Sequence, residues 1–546
     1  MKKFVYKHCG CSFDILGYNE KGRPNINFDL NIENINLECK KTWEMISEGN
    51  TKGCFQLESR LGQMLAKKLK PDNIEHLAAL ISIMRPGCLE AIRDNKSVTN
   101  HFIDKKNLEE SVDYFHPSLE EILKSTYGEM IYQEQAMQIA QKLAGFDLKA
   151  ADMLRKAIGK KKPEEMKKLK SKFVNGCVKN GLEKDDANEL FSWIEKSQRY
   201  SFNKSHAVSY AFNAYLSAYA KAHFPKIFFL CYLKFAEYKI DPQKEMRELI
   251  SNAKDMDIDV RLPDIRIMND NFALIDNTIY FGLCNVKNFG DSVYRKLQQQ
   301  LENVKIEELS YIEILLDIMC NINSSAAKSI ISCGALDFLQ KSRTYLLLCL
   351  DIVSEFSARE HEWIKKNISF QNFDTMKSFM QFITGLPTGK KCCFSTKKRQ
   401  EKMIGQLNLL ENPPFSIVDS IEWISDKEFS LLGASLSCSK IDSCDTSVVN
   451  SFCSDVRKNQ CPEDNIILGL QLDEISVIKT KKGKNVGSRM CFLTCSDSTG
   501  TLENMVCFPE EFALYEDLMI ENNTIIAQCQ KSKNQDSVIV KKMWQA

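Results

Sequence analysis

The spacing of apolar residues changes along this chain, and the change divides it into two kinds of structure. Between Asn34 and Pro225, apolar residues recur every three or four positions, as in DNIEHLAALISIM and EQAMQIAQKLAGF, which is typical of amphipathic helices. From Ile466 onward the period falls to two, and short apolar segments are separated by turn residues. The sequence therefore predicts a mainly α-helical, multidomain protein that ends in a small all-β barrel.

The region between these two parts carries weaker signals. Residues 241–345 continue the helical pattern around one strand-like insert, FALIDNTIYFGL. Residues 346–400 are helical and then become basic and glycine-bearing, in TGLPTGKKCCFSTKKRQEK, which predicts a linker. With 546 residues the chain is long enough for about three or four domains.

Overall charge favours no class of partner, because 73 Lys and Arg nearly balance 72 Asp and Glu. Affinity for a polyanion must then come from local clusters. No window approaches the ~18 uninterrupted apolar residues of a membrane span, and the start, MKKFVYKHCGCSF, lacks the apolar stretch of a signal peptide. We therefore expect a cytoplasmic protein.

The 21 cysteines stand mostly in apolar contexts such as FLCYL and ISCGAL, which predicts reduced and mostly buried thiols. The tightest group is HCGC, with His8, Cys9 and Cys11. A zinc site usually needs two such pairs, and the sequence shows no second pair at matching spacing. Ordinary thiols are the favoured interpretation here, and no metal site is predicted.

A dense cationic segment runs from Arg155 to Lys172, with nine Lys or Arg and only two Glu. Gly159 is a natural helix stop and Pro163 a natural helix start, so the sequence predicts a helix-loop-helix with a cationic tip. Such clustered cations suit phosphates, although a solvated helix face is the alternative interpretation.

A second cationic segment is YSFNKSHAVSYA, at 200–211. Asn203 or Ser205 can cap the alanine-rich helix that follows, which places Lys204 and His206 at its N-terminus, where backbone N–H groups also favour anions. The alternative is that His206 only caps or packs. We interpret the nearby aromatic residues as core.

Several ordered stretches resemble one family: GCFQLESRLG (53–62), MRPGCLE (84–90), HFIDKKN (101–107), STYGEMIYQEQAMQIAQKLAGFDLKAADMLRKAIGKKKPEEM (125–166) and YSFNKSHAVSYA (200–211). Together they resemble the fingers domain of bacterial replicative DNA polymerases, the C-family alpha subunit of DNA polymerase III. Downstream, RLPDIRIMNDNF, IYFGLCNVKNFG and ISCGALDFL resemble that family's helix-hairpin-helix region, and the C-terminal strands resemble its oligonucleotide-binding (OB) fold.

The resemblance implies six segments: an N-terminal extension (1–38), polymerase fingers (39–240), a helix-hairpin-helix duplex-binding region (241–345), a helical segment with a basic linker (346–400), a clamp-binding segment (401–460) and an OB-fold (461–546).

The resemblance also implies binding residues. Those expected to bind nucleotide and DNA are Arg85, Arg155, Lys156, Lys160, Lys161, Asn203, Lys204, Ser205 and His206, and those expected to bind duplex are Lys287, Asn288 and Gly290. The family usually has two Arg where this chain has Arg155 and Lys156, and Lys lacks the bidentate fork. Ser201 stands where the family has Gly.

Two further sites are expected near the C-terminus. GQLNLLE resembles the family's internal sliding-clamp motif and implies clamp contacts by Gln406, Leu407, Leu409 and Leu410, with Leu410 in place of a more usual Phe. An ordinary helix face is the alternative there. The basic hairpin KTKKGKNVGSR implies single-strand contacts by Lys481, Lys482, Lys484 and Arg489.

Metal-dependent nucleotide transfer needs clustered carboxylates, which the family places in a palm domain ahead of the fingers as an Asp-x-Asp pair plus a third Asp. The first fifty residues offer only Asp14 and Asp29, both isolated, and FDILG makes Asp14 a weak candidate for the third Asp. The family's phosphoesterase-like domain is not expected in this chain.

We therefore expect a DNA polymerase III alpha-like component of DNA replication that is not active alone. The expected partners are primed DNA template, dNTP, a sliding clamp, a separate palm-bearing chain and other replisome subunits. Mg²⁺ would come with the palm and the dNTP, and no tightly held cofactor is expected. The alternative is a non-catalytic protein that binds DNA and tethers the clamp.

Overall fold

The computed structural model describes residues 3–5, 9–19, 22, 24–159, 163–197, 201–462, 464–480, 486–532 and 538–546. The chain forms two compact units, residues 1–228 and 229–546. Within the described residues, no helix is both long and apolar enough to cross a membrane.

The first unit begins with a three-stranded antiparallel sheet and is mainly helical after it, apart from one short two-stranded hairpin. Its strands are β1 (Lys3–Val5), β2 (Ser12–Tyr18), β3 (Pro24–Ile26), β4 (Ile92–Arg93) and β5 (Lys96–Ser97). Its helices are α1 (Lys40–Ser47), α2 (Arg60–Leu69), α3 (Ile74–Ile83), α4 (Pro86–Glu90), α5 (Val98–Lys106), α6 (Glu120–Leu123), α7 (Gln133–Ala144), α8 (Leu148–Gly159), α9 (Pro163–Lys179), α10 (Lys184–Ser197) and α11 (Lys204–His223). Helix α12 (Pro225–Phe235) spans the division between the units.

Helices α3 and α11 form the centre of the first unit. Leu77, Leu80 and Ile81 of α3 are completely buried, and α11 packs against this helix. A second core lies among α7, α8, α9 and α10, where Phe173 and Phe191 pack together. The helical period between Asn34 and Pro225 is therefore confirmed.

The second unit is mainly helical up to residue 457 and includes one small three-stranded sheet. It contains α13 (Pro242–Asp255), β6 (Val260–Arg261), β7 (Ala273–Ile275), β8 (Thr278–Tyr280), α14 (Asp291–Leu301), α15 (Tyr311–Glu313), α16 (Ser324–Ser332), α17 (Arg343–Ser354), α18 (Ala358–Asn367), α19 (Met376–Gly385), α20 (Lys397–Glu411), α21 (Ile421–Leu432) and α22 (Cys453–Arg457). The strand-like insert at 272–283 forms the β7–β8 hairpin.

Residues 385–400, predicted as a linker, are instead packed into the second unit. Cys393 and Phe394 are completely buried, and the ring of Phe394 stacks against that of Phe356. Arg399 donates to both carboxylate oxygens of Glu360. The basic composition of the segment obscured these anchors, which hold it against the core.

The C-terminal strands close into a barrel, as their period of two predicted. They are β9 (Ile466–Lys479), β10 (Arg489–Asp497), β11 (Gly500–Cys507), β12 (Thr524–Lys531) and β13 (Val538–Gln545), with α23 (Pro509–Tyr515) between β11 and β12. The strand order is β10-β11-β13-β12-β9, and β11 pairs with β13 in parallel. Alternate residues of β9, including Leu468 and Leu470, fill the interior. The predicted fold class is confirmed.

Candidate nucleotide- and DNA-binding surface

A short strand-like contact brings two distant segments together in the first unit. The backbone N–H of Phe202 donates to the carbonyl of Ile131 at 2.9 Å, and the N–H of Gln133 donates to the carbonyl of Phe202 at 2.9 Å. Tyr132 and Phe202 thus form an isolated parallel bridge. This contact places the start of α7 beside FNKSH at the start of α11.

A carboxylate fixes the N-terminus of α11. Glu134 accepts hydrogen bonds from the Asn203 side chain at 2.7 Å and from the Lys204 backbone N–H at 2.9 Å. The Asn203 side-chain oxygen caps the helix by accepting from the His206 N–H at 2.8 Å. These N–H groups, expected to attract an anion, are therefore already bonded, and Asn203 has a capping role. Anion binding would fall to the side chains of Lys204 and His206.

The side chains of Lys204 and His206 pack beside aromatic rings. The ammonium of Lys204 lies 5.6 Å from the centre of the Tyr132 ring. The ring of His206 lies 5.3 Å from that of Phe202. The guanidinium of Arg85, an exposed residue, lies 4.1 Å from the centre of the Phe202 ring, within the range of a cation–π contact. Residues from positions 85 and 202–206 therefore meet on one small aromatic platform.

Helix α8 adds Arg155 to the same place. Its guanidinium contacts the side-chain oxygen of Gln133 at 3.4 Å and that of Asp152 at 2.9 Å. Lys156 pairs with the other oxygen of Asp152 at 2.6 Å. Hydrogen bonds from Lys156 and Arg155 lower the pKa of Asp152. Asp152 thus orients Arg155 toward the bridge while leaving about a third of its side chain exposed.

We call Arg85, Arg155, Lys204 and His206 the donor surface. All four touch residues of the 132–133 and 202 bridge, although they come from three separate stretches of sequence. Ser205 is exposed beside them on the first turn of α11. Lys160 and Lys161 lie outside the described residues. Several cations or hydrogen-bond donors around the partly exposed ring of Phe202 suit a phosphate-bearing ligand with a planar base.

Ser201, which stands where the family has Gly, fits the local structure. Ser201 is buried, and its hydroxyl donates to the carbonyl of Ser197 at 2.7 Å. The departure from the family pattern therefore adds a local hydrogen bond at the end of α10.

Some basic side chains of the cationic segment pack over aromatic residues of the core. The ammonium of Lys172 lies 5.0 Å from the ring centre of Phe146, and that of Lys170 lies 5.7 Å from Phe191. These side chains cover aromatic residues of the helical core, as long cationic side chains commonly do. The solvated-face interpretation thus fits the α9 part of the segment.

The stretch HFIDKKN forms a buried ionic network that sequence reasoning missed. Lys105 pairs with Glu129 at 2.9 Å, and Arg93 pairs with the same carboxylate oxygen at 2.6 Å. His101 contacts Glu110 at 2.8 Å. Burial opposes ionisation of Glu110, but hydrogen bonds from Lys96 and His101 outweigh it and lower the pKa of Glu110 to about 2. The available signal was a glutamate within an otherwise apolar stretch, YGEMIY.

The duplex-binding prediction falls on an exposed turn of the second unit. Lys287, Asn288 and Gly290 are exposed around buried Phe289, just before α14. Asn288 has a φ of 69°, and its side chain donates to Ser329 of α16 at 3.2 Å. The turn is thus fixed from inside, with Lys287 facing solvent.

The residues expected to bind a clamp lie on helix α20. Leu407, Leu409 and Leu410 are partly buried and pack against the core of the second unit. Gln406 is half-buried on the same helix. This packing agrees with the alternative of an ordinary helix face.

The expected single-strand site is described only in part. Lys481, Lys482 and Lys484 lie outside the described residues. Arg489, at the start of β10, pairs with Glu516 at 2.6 Å and lies 5.3 Å from the ring centre of Phe512. Its guanidinium thus has partners within the barrel domain.

Neither early aspartate belongs to a carboxylate cluster in the described residues. Asp14 lies on β2 opposite Lys3. Asp29 accepts from the Asn31 backbone N–H at 2.9 Å and from the Asn34 side chain at 2.8 Å, which makes it part of a turn.

Comparison with known proteins identifies two of these regions. Residues 17–181 match the family model of the bacterial DNA polymerase III alpha subunit finger domain, and residues 257–346 match a helix-hairpin-helix motif. The donor surface therefore lies on and beside a polymerase finger domain.

Similar proteins extend the match over most of the chain. DNA polymerase III subunit alpha of Borreliella burgdorferi is 30% identical over 526 residues, which are 95% of this chain and 42% of that protein. The Bacillus subtilis subunit is 29% identical over 94% of this chain and 42% of the relative. The Aquifex aeolicus subunit is 37% identical over 58% of this chain and 27% of the relative.

The fold and the matched domains define a relative of bacterial replicative polymerases. The chain is similar to the DNA polymerase III alpha subunit over most of its own length and matches that subunit's finger-domain model, which confirms the resemblance seen in the sequence. It spans less than half the length of these three relatives.

Proposed function

We propose that this chain binds the incoming nucleotide and primed DNA as a DNA polymerase III alpha-like subunit in DNA replication. The observation that carries the proposal is the convergence of Arg85, Arg155, Lys204 and His206 on the aromatic bridge of a finger domain. Guanidinium and ammonium groups stabilise phosphate charge, and the partly exposed ring of Phe202 offers a face on which a base can stack. A deoxynucleoside triphosphate presents both features.

A direct test compares three variants of the chain purified with its native partners. Arg155→Ala and Lys204→Ala each remove one donor, whereas Lys168→Ala removes one positive charge from the exposed side of α9. Loss of a charge-assisted hydrogen bond costs about 1.5–3 kcal/mol, so the first two should weaken dNTP binding roughly tenfold to a hundredfold. Lys168→Ala should bind normally.

The readouts are the dNTP concentration for half-maximal incorporation and the affinity for primed DNA. In the Arg155→Ala and Lys204→Ala variants we expect the dNTP concentration for half-maximal incorporation to rise. The affinity for primed DNA should stay close to that of the unsubstituted protein. Unchanged dNTP dependence in both donor variants contradicts the assignment. Equal losses in all three variants indicate only a general effect of charge.

We further propose that the carboxylates holding Mg²⁺ belong to a palm on a separate chain. The two carboxylates described at the donor surface, Glu134 and Asp152, already accept hydrogen bonds from helix and arginine donors and do not fit a metal site. What supports the proposal is the isolation of Asp14 and Asp29, since two-metal transfer needs clustered carboxylates.

The partner is found by affinity purification of this chain from its native cells after nuclease treatment, followed by mass spectrometry. A co-purifying chain with an Asp-x-Asp palm supports the proposal. Recovery of only a clamp or a single-strand-binding protein contradicts it and supports the non-catalytic alternative.

A sliding clamp is also a proposed partner, through Gln406, Leu407, Leu409 and Leu410. The spacing of these residues supports the contact, and the packing of the three leucines supports an ordinary helix face instead. Gln406→Ala separates the two because it removes the polar anchor and little core packing. Loss of clamp-dependent processivity with normal distributive synthesis supports clamp binding, and no effect supports the helix face.

A further inference from the structure

Four potential metal ligands meet in the first unit, although they are far apart in sequence. The sulfurs of Cys9, Cys11 and Cys39 and a ring nitrogen of His223 all lie within 4.8 Å of one another. The Cys39 sulfur is 3.4 Å from Nε2 of His223. Tetrahedral zinc, with bonds of about 2.3 Å to sulfur and about 2.0 Å to nitrogen, places its ligand atoms about 3.5–3.8 Å apart. The cluster is therefore close to the size that zinc requires.

The sequence shows no second pair of ligands at matching spacing, but the fold brings Cys39 and His223 beside Cys9 and Cys11. No local spacing could reveal the remaining ligands, because Cys39 precedes α1 and His223 ends α11. The fold alone brings them to the HCGC turn. His8 lies outside the described residues.

The local backbone suits a pair of cysteine ligands on one turn. Gly10, between Cys9 and Cys11, has a φ of 70°, a conformation that favours glycine. Cys11, Cys39 and His223 are each no more than 3% exposed, and Cys9 is partly buried. The site is thus largely closed to solvent, as structural zinc sites are.

Neighbouring side chains hold the ligands in place. The Asn36 amide lies 3.8 Å from the Cys11 sulfur, and the hydroxyl of Tyr219 is hydrogen-bonded to Cys11. The His223 ring packs against Phe13 and Tyr219, with ring centres 5.6 and 4.4 Å away. Such outer contacts orient ligands and support thiolate charge.

Few of the described side chains of the N-terminal sheet are buried. Strands β1 and β3 have three residues each, and Val5, Leu16 and Tyr18 are more than half exposed. Two of its buried apolar residues are Cys11 and Phe13. Small elements with little core commonly rely on a metal or a disulfide.

We propose that Cys9, Cys11, Cys39 and His223 bind one structural Zn²⁺ that joins the N-terminal sheet to α1 and to the C-terminal end of α11. Three thiolates and one imidazole are a common ligand set for structural zinc. All four positions are filled by protein, which leaves none for a substrate. Three thiols release their protons as the metal binds.

The test measures zinc in the full chain purified under reducing conditions without added metal chelator. We expect about one zinc per chain by elemental mass spectrometry, and Co²⁺ exchanged into the protein should give the absorption of a tetrahedral thiolate site. Cys39→Ser and His223→Ala should each lose most of the metal. The matched control is Cys88→Ser, a completely buried cysteine outside the cluster, which should retain it.

A second measurement needs no substitution and therefore holds even if the variants fail to fold. Alkylation of Cys9, Cys11 and Cys39 in the native protein should accelerate at least tenfold after zinc is removed by a chelator, while alkylation of Cys88 should not change. A protein without bound zinc that also binds no Co²⁺ overturns the proposal. Metal retained in both ligand variants, or a disulfide within the cluster, overturns it as well.

Discussion

The buried ionic network beside α5 gives a sharp prediction about stability. Glu129 is 1% exposed and accepts hydrogen bonds from Lys105 and Arg93 through one oxygen. The substitution Glu129→Gln keeps the shape of the side chain but removes its charge. Lys105, about 5% exposed at its side chain, would then remain buried, with the Glu110 carboxylate 3.8 Å away.

The size of the effect follows from this loss of charge. Breaking a buried ion pair by removing one partner costs about 3–5 kcal/mol. The lower end applies here, because Glu110 remains close to Lys105 and because Arg93 is 38% exposed and can be solvated. A cost of about 3 kcal/mol corresponds to about a hundredfold increase in local opening.

Hydrogen exchange of the full chain, followed by mass spectrometry, measures this opening locally. We expect faster exchange in peptides covering 98–106 and 123–131. The matched control is Glu121→Gln, whose carboxylate is 81% exposed and pairs with Lys142, and it should change nothing. The double substitution Glu129→Gln with Lys105→Met should recover part of the protection. Equal exchange in Glu129→Gln and Glu121→Gln would refute the reasoning.

Three further predictions concern the same unit. Gly176→Ala should destabilise the α7–α9 core by about 1–3 kcal/mol in hydrogen exchange, because the new Cβ would lie 2.1 Å from the Ala144 carbonyl oxygen. The ionised Glu110 carboxylate should stabilise the fold at pH values above its ordinary pKa of 4.5, and this contribution should disappear as the pH falls from 4.5 toward about 2. Glu110→Gln should flatten that part of the curve of stability against pH. Glu134→Ala should raise exchange at the Lys204 amide and lower nucleotide incorporation, and Glu134→Gln should be intermediate; unchanged exchange in the alanine variant contradicts the role of Glu134 in fixing the N-terminus of α11.

The fold was largely predictable because two periods of apolar spacing determine it. Alternate residues of β9 fill the barrel, and most helices between Asn34 and Pro225 bury one face, whereas α3 is buried on all sides between Leu77 and Ile83. Residues 385–400 were not predictable in the same way. Their anchors are Phe394 and Arg399, and the partners of both lie about 40 positions earlier in the chain.

Only part of the candidate site could be predicted, because some of its contacts join residues that are far apart in the sequence. Arg155 and Lys204 could be recognised from local charge, helix ends and family resemblance. Glu134 and the bridge between Tyr132 and Phe202 could not, because backbone pairing across 70 positions leaves no local pattern. The same limit concealed His223 as a partner of Cys11.

Helix α11 links these observations, since its N-terminus presents donors and its C-terminus enters the cysteine cluster. Ala207, Ala211, Ala214 and Ala218 are completely buried, and such small side chains let α11 lie close against α3. If this packing sets the position of Lys204 and His206, Ala214→Leu should weaken dNTP binding without touching either residue. The control, Asn213→Leu, places the same side chain on the exposed face and should leave binding unchanged. Overpacking costs about 1–3 kcal/mol, enough to shift the helix. Normal dNTP affinity in a folded Ala214→Leu variant would show that the bridge and Glu134 position the donors by themselves.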